Sequence, residues 1–217
     1  MDEILKKIEQ EKIIAIVRGV EKDKIIPLAQ AMYRGGVRLI ECTFDASGKI
    51  SEEETASNIE MLVKYFGAEM VVGAGTVLTE KQVELTKEAG GRFIISPDTN
   101  IDVVKKTREL GLVSIPGALT PSEITLAVRN GANFVKIFPV SAVGGMNYAK
   151  AVSAPLSHVK FLAVGGVNVN NIADYLRAGF QGVGIGNGIV NTKMVANDDY
   201  EGITKLAAEF ISKIKEC

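Results

Sequence analysis

Short β-branched runs alternate with amphipathic helical stretches along the chain, and a strict alternation of this kind admits few folds. The runs are KIIAIV (12–17), VRLIEC (37–42), EMVVGA (69–74), RFIIS (92–96), LVSIP (112–116), NFVKIF (133–138), VKFLAV (159–164) and GVGIG (182–186), eight in all. Between them lie KDKIIPLAQAMYRGG (22–36), TEKQVELTKEAGG (79–91), NIDVVKKTRELG (100–111), TPSEITLAVRNGA (120–132) and NVNNIADYLRAGF (168–180). Their apolar residues recur at three-and-four spacing, which marks helices. Thr79, Asn100, Thr120 and Asn168 stand where side-chain oxygens cap helix starts. Gly35, Gly90, Gly111, Gly131 and Gly179 stand where a left-handed residue ends them. Eight strand–helix pairs predict an α/β fold, a (β/α)8 barrel. A doubly wound open sheet also alternates, but it carries a glycine-rich turn after its first strand, whereas the first run here ends AIVRGV. An extra N-terminal helix over about residues 2–11 would precede the first strand and cover the barrel floor. The 217 residues suit one barrel domain over 1–217, since such barrels commonly take about 200–250 residues.

Composition narrows the function classes. A net charge of −1 leaves no basic footprint for nucleic acid and no polybasic arm for a membrane. Interspersed Lys and Glu on the helical stretches read as solvated faces. Cys42 and Cys217 make neither a disulfide framework nor a metal-ligand spacing, which suits a reducing cytoplasm. The opening MDEILKKIEQEK is charged and has no signal-like apolar core, and no apolar stretch reaches the ~18 residues of a membrane span. A cytoplasmic protein is expected. His158, in SAPLSHVKF, is the lone histidine, which argues against a His-based triad or a multi-His metal site and reads as a loop residue before a strand. No metal is expected.

In a barrel of this kind the chemistry sits where strands end and βα loops begin. The polar and special residues at those ends are Arg18, Glu41, Thr43, Thr76, Ser96, Pro97, Pro116, Lys136, Phe138, Gly165, Gly166, Gly186 and Asn187. Lys136 stands out, because Phe134, Val135, Ile137 and Phe138 surround it in a run that stops at Pro139. So apolar a strand is normally buried on both faces, where an ammonium tends to lose its proton. Two readings follow: a lysine that snorkels to the strand end, or a neutral amine kept for carbonyl chemistry. Glu41, in LIECTF, supplies the matching carboxylate, able to move the protons that imine formation and carbon–carbon cleavage require. A purely structural Glu41–Lys136 pair is the alternative, weakened because buried pairs are poor stability devices. VGGVNVNN (164–171) and GIGNGIV (184–190) together suggest a phosphate cradle on consecutive last strands, with glycines that admit backbone N–H groups to phosphate oxygens. The Thr76 hydroxyl suits a carboxylate oxygen, while Phe138 and Pro97 suit apolar walls.

IIAIVRG, GGVRLIECTF, VGAGTVL, FIISPD, IPGALTPSE, VKIFPVSAVGG, AVGGVN and GIGNGIV are spread along nearly the whole chain. In this combination they resemble the 2-dehydro-3-deoxy-phosphogluconate (KDPG) aldolase / 4-hydroxy-2-oxoglutarate (KHG) aldolase family, pyruvate-dependent class I aldolases. The resemblance implies a lyase whose Lys136 forms a Schiff base with pyruvate and whose Glu41 shuttles protons. It implies that Thr76 and nearby backbone hold the pyruvate carboxylate and that Phe138 packs on the imine. Gly165, Gly166 and the Gly186–Asn187 turn would receive phosphate. No cofactor is implied; the partners are small-molecule substrates, pyruvate and a 2-dehydro-3-deoxy sugar acid, and the family assembly is a homotrimer. Two departures are visible. Well-known members carry an arginine, a carboxylate ligand, where this chain has Asp45; other members carry one after the first strand, as Arg18 stands here. A serine often occupies the position of Asn187. The polar loop DASGKISEEET (45–55) could reshape the aldehyde side of the site. The alternatives are an aldolase for the galactonate epimer, a phosphate-binding barrel isomerase or synthase without covalent catalysis, and a non-catalytic binding barrel.

Overall fold

Every strand runs parallel to the strands it pairs with. The computed structural model describes residues 1–217. Its strands are β1 (Ile13–Val17), β2 (Leu39–Thr43), β3 (Val71–Gly75), β4 (Phe93–Ile95), β5 (Val113–Ile115), β6 (Gly117–Ala118), β7 (Val135–Ile137), β8 (Phe161–Val164) and β9 (Gly182–Ile185). They make one nine-stranded sheet in the order β5-β4-β3-β2-β1-β9-β8-β7-β6. β5 falls within the run LVSIP (112–116) and β6 lies just beyond it; between these two end members stands Pro116, which has no N–H to give a ladder. β5 pairs with β4 and β6 with β7, and the Lys136 N–H donates to the Pro116 carbonyl at 2.9 Å. The sheet thereby curls into a nearly closed barrel with alternating helices, the TIM-barrel type that the eightfold alternation predicts.

The helices are α1 (Asp2–Glu11), α2 (Ile25–Arg34), α3 (Glu52–Phe66), α4 (Glu80–Glu88), α5 (Ile101–Glu109), α6 (Pro121–Arg129), α7 (Met146–Ser153), α8 (Ile172–Arg177), α9 (Thr192–Ala196) and α10 (Tyr200–Lys215). Helix α1 covers the floor as expected: its Ile4 and Ile8 pack with Ile14, Leu39, Phe93 and Phe134 inside the barrel. Full burial of an isoleucine contributes about 1.5–3 kcal/mol, so these two side chains suffice to seat a short helix there. A larger cluster of 50 buried residues fills the layer between strands and helices.

Local signals decide most helix ends. Thr79 and Thr120 form capping boxes with Gln82 and Glu123, and Asn100 accepts from the N–H groups of Asp102 and Val103. Two expectations are corrected. Asn168 caps the turn before α8, accepting from the Asn170 N–H at 2.9 Å, while Asn171 is the residue at the helix start. Gly35 is helical at φ −74°, and Gly36 takes the left-handed conformation at φ 101°. Gly35 is small for another reason, since a Cβ there would overlap Ala207 on α10. The loop read over 45–55 is shorter than expected: α3 begins at Glu52, with Ser51 Oγ accepting from the Glu54 N–H. Glu52, Glu53 and Glu54 then sit at the positive end of the helix dipole. His158 lies exposed in the turn before β8. No helix is long and apolar enough to cross a membrane.

Candidate active site

Lys136 and Glu41 are both buried, 6% and 3% exposed, on strands that carry them into the barrel from different sides of the sheet. Burial drives the Lys136 amine below the ordinary lysine value; Glu41 and Asp98 oppose the shift and Arg18 reinforces it. Burial also raises the Glu41 carboxyl to about 7, against the pull of Lys136 and Arg18. Burial therefore works against the charged amine, beside a carboxyl that can give and take a proton near neutral pH. Neither is hydrogen-bonded or ion-paired to the other, so they do not form the structural salt bridge considered above. Gly75 makes room for the carboxyl: a Cβ there would overlap the Glu41 side chain. Phe138 places its ring 4.7 Å from the Lys136 amine. Cys42, next to Glu41 but packed among the outer cluster, has its thiol pushed up to about 12 by burial and then by Glu41, which leaves it inert as a nucleophile.

One step towards the barrel mouth, three neighbouring strands bring Arg18, Thr43 and Thr76 together. Val17 pairs with Cys42 and Thr43 with Gly75, so Arg18 lies beside Thr43 and Thr76 follows on the other side. Arg18 Nη2 donates to Thr76 Oγ1 at 3.0 Å. It pairs with neither Glu21 nor Asp45. Thr76 is held at φ 54°, a costly conformation for a β-branched residue that aims its hydroxyl under the guanidinium. Thr43 is buried, and its hydroxyl has no hydrogen-bond partner. Asp45 is turned into its own loop, where it accepts from Ser47, Lys49 and Ile50, and these bonds hold its carboxyl at about 2.

Pro97 ends the β4 segment, and a Cβ at Gly117 would overlap its carbonyl, so strand four and the split fifth strand touch there. At the β8 end, Gly165 and Gly166 have φ of 94° and 80°, open to glycine alone without strain. A Cβ on Gly165 would press on Pro139 and Phe138, and one on Gly166 would overlap the Ser141 side chain. At the β9 end Gly186 borders open space, and Asn187 is exposed. No three His, Cys, Asp or Glu side chains gather where they could hold a metal ion. The residue pattern alone does not single out Gly75, Asp98 or Ser141. Gly75 and Asp98 sit in the motifs VGAGTV and SPD, yet only a cross-strand view shows which charged group each one meets.

Residues 3–206 match the family model described as KDPG and KHG aldolase. The chain belongs to that family. This makes it a member of the class I pyruvate aldolases, which are lyases. It is 30% identical to the 2-dehydro-3-deoxy-phosphogluconate aldolase of Haemophilus influenzae, over 98% of this chain and 97% of that one. It is 31% identical to the 2-dehydro-3-deoxy-6-phosphogalactonate aldolase of Escherichia coli, over 94% and 95%. Among solved structures, the KDPG aldolase of Legionella pneumophila superposes with a TM-score of 0.83 at 31% identity, over 93% and 94%. That structure holds pyruvate captured at low pH as a covalent carbinolamine intermediate. The chain carries a buried strand lysine on β7 and a buried strand glutamate on β2, and the rim cation Arg18 directly follows β1.

Proposed function

We propose that this aldolase cleaves 2-dehydro-3-deoxy-6-phosphogluconate to pyruvate and glyceraldehyde 3-phosphate through a Schiff base on Lys136. The observation that carries the proposal is the buried amine, lowered in basicity, next to a carboxyl raised to about 7. The Lys136 amine attacks the C2 carbonyl, and Glu41 in its acid form protonates the departing hydroxyl so that water leaves and the imine forms. Glu41, now ionised, takes the proton of the C4 hydroxyl. The C3–C4 bond breaks, its electrons pass to the imine as an enamine, and the aldehyde departs. Glu41 returns its proton to C3, and water then hydrolyses the imine to pyruvate and the free amine. Arg18, Thr43 and Thr76 hold the C1 carboxylate; Phe138 and Pro97 wall the reacting carbons. Gly165, Gly166, Gly186 and Asn187 receive the phosphate, with backbone N–H groups as donors. The same steps split 4-hydroxy-2-oxoglutarate into pyruvate and glyoxylate.

Borohydride added with pyruvate should fix about 70 Da on Lys136, and Lys136→Gln should abolish the adduct. An unmodified Lys136 would sink the mechanism. Steady-state rates on the gluconate and galactonate epimers test the substrate: a faster rate on the galactonate compound would overturn that part.

A further inference from the structure

Two buried oxygens converge on one small cavity behind the rim. In the whole chain only Thr43 Oγ1 and Asn58 Oδ1 are buried side-chain polar atoms without a hydrogen-bond partner. Thr43 ends β2 and Asn58 lies midway along α3, and both line a cavity of about 20 Å³ with Val17, Val20, Ile50 and Thr55. Resting on the aldolase reading above, we infer that this cavity holds one ordered water that bridges Asn58 to Thr43, and that Asn58 is thereby a positioning residue for the catalytic end of β2.

Volume sets the size of the occupant. A single water needs roughly 10–15 Å³ of such space, whereas a drug-sized ligand takes a pocket of roughly 300 Å³ or more. Chemistry sets its kind. Asn58 Oδ1 can only accept, so its partner must bring a hydrogen, and a water brings two. One goes to Asn58 Oδ1 and the other to Thr43 Oγ1; two bonds lie within the usual range for a buried water. Thr55, the third polar side chain on the cavity, is already engaged, since its hydroxyl donates to the Ser51 carbonyl at 3.3 Å. One unpartnered buried oxygen is uncommon, and two on the same cavity call for a shared partner.

The place of the bridge gives it a role. Thr43 pairs with Gly75 across the β2–β3 ladder, and the next N–H, that of Phe44, donates to the Gly75 carbonyl at 2.8 Å. Gly75 is also the residue whose lack of a side chain leaves room for the Glu41 carboxyl. The strand end that fits Glu41 against Gly75 is therefore tied to α3 through Thr43, the water and Asn58.

The test uses the full-length enzyme. A high-resolution crystal structure should show a water within hydrogen-bond distance of both oxygens; no density there, or a water touching only one of them, overturns the inference. Asn58→Leu and Thr43→Val each take away one of the water's two partners, so each should lower the urea midpoint by about 0.5–1 M. The double variant, with an apolar cavity and no orphaned oxygen, should fall no further than the worse single variant. Losses that simply add overturn the bridge. Asn58→Leu should also lower kcat about tenfold by displacing Glu41, while the pyruvate concentration that half-saturates borohydride trapping stays within about twofold of wild type. A kcat within about twofold of wild type overturns the positioning role, as does a kcat loss matched by an equal loss of pyruvate saturation. No trapping even in wild type would remove the Schiff base instead, and the density and the urea series would still decide the water.

Discussion

Replacing Glu41 by glutamine should make the protein more stable and nearly inactive. The folded structure raises this carboxyl from an ordinary 4.5 to about 7, mainly by burial. Between those two values the folded protein holds a proton that the unfolded chain has released, so raising the pH favours unfolding. Each tenfold in proton affinity is about 1.4 kcal/mol, so the whole interval is about 3 kcal/mol, present in full above pH ~7. Glutamine has no proton to lose and nearly the same shape, and it keeps clear of Gly75 as glutamate does. Its gain is an upper bound, because Lys136 loses the attraction of Glu41 at the same time. Urea unfolding at about pH 8.5 and about pH 5 should show Glu41→Gln ahead by up to about 3 kcal/mol at the higher pH and by far less at the lower. For a chain of this size that gain corresponds to about 6–12 °C in Tm. The same variant should lose about 10²–10⁴ in kcat, along with the fall of kcat/KM above pH ~7 that ionisation of an acid-form Glu41 imposes. An equal stability difference at both pH values, or a less stable variant at the higher one, would refute a buried, proton-holding Glu41.

Three further outcomes follow from the geometry. Arg18→Ala removes the donor to Thr76 and should lower kcat/KM about ten- to a hundredfold on phosphorylated and unphosphorylated substrates alike; rates within about twofold of wild type would remove Arg18 from the site. Gly75→Ala puts a methyl where the Glu41 carboxyl lies, so kcat should fall by about a hundredfold or more while far-ultraviolet circular dichroism is retained; an unchanged kcat would mean Glu41 lies elsewhere during turnover. Thr76→Gly relieves a β-branched residue at φ 54° and should raise stability by about 1 kcal/mol in thermal unfolding while weakening pyruvate binding; a loss of stability would show that the Arg18 contact outweighs the strain.

The barrel and its floor helix are legible in the sequence because both are written in short-range periodicity. Apolar positions three and four apart build each helix, and α1 spans the residues that its pattern marks. Lys136 is legible for a related reason, since a lone amine inside an apolar run announces burial through the residue order alone. Strand five is legible only up to Pro116, and the pairing segment beyond it is not. Its break at Pro116 matters because one half pairs with β4 and the other with β7, a partnership set by barrel closure. Capping patterns misplace the start of α8, and a glycine pair misplaces the end of α2, because each offers adjacent residues that local rules rank alike. The site is half legible. Residue types at strand ends mark Glu41, Arg18 and Thr76 as candidates. That Arg18 reaches Thr76, 58 positions away, is decided by three strands lying side by side. Gly75 yields space to Glu41 for the same reason. Periodicity records which face of an element is buried, whereas the distance between side chains on different elements exists only once the sheet has closed.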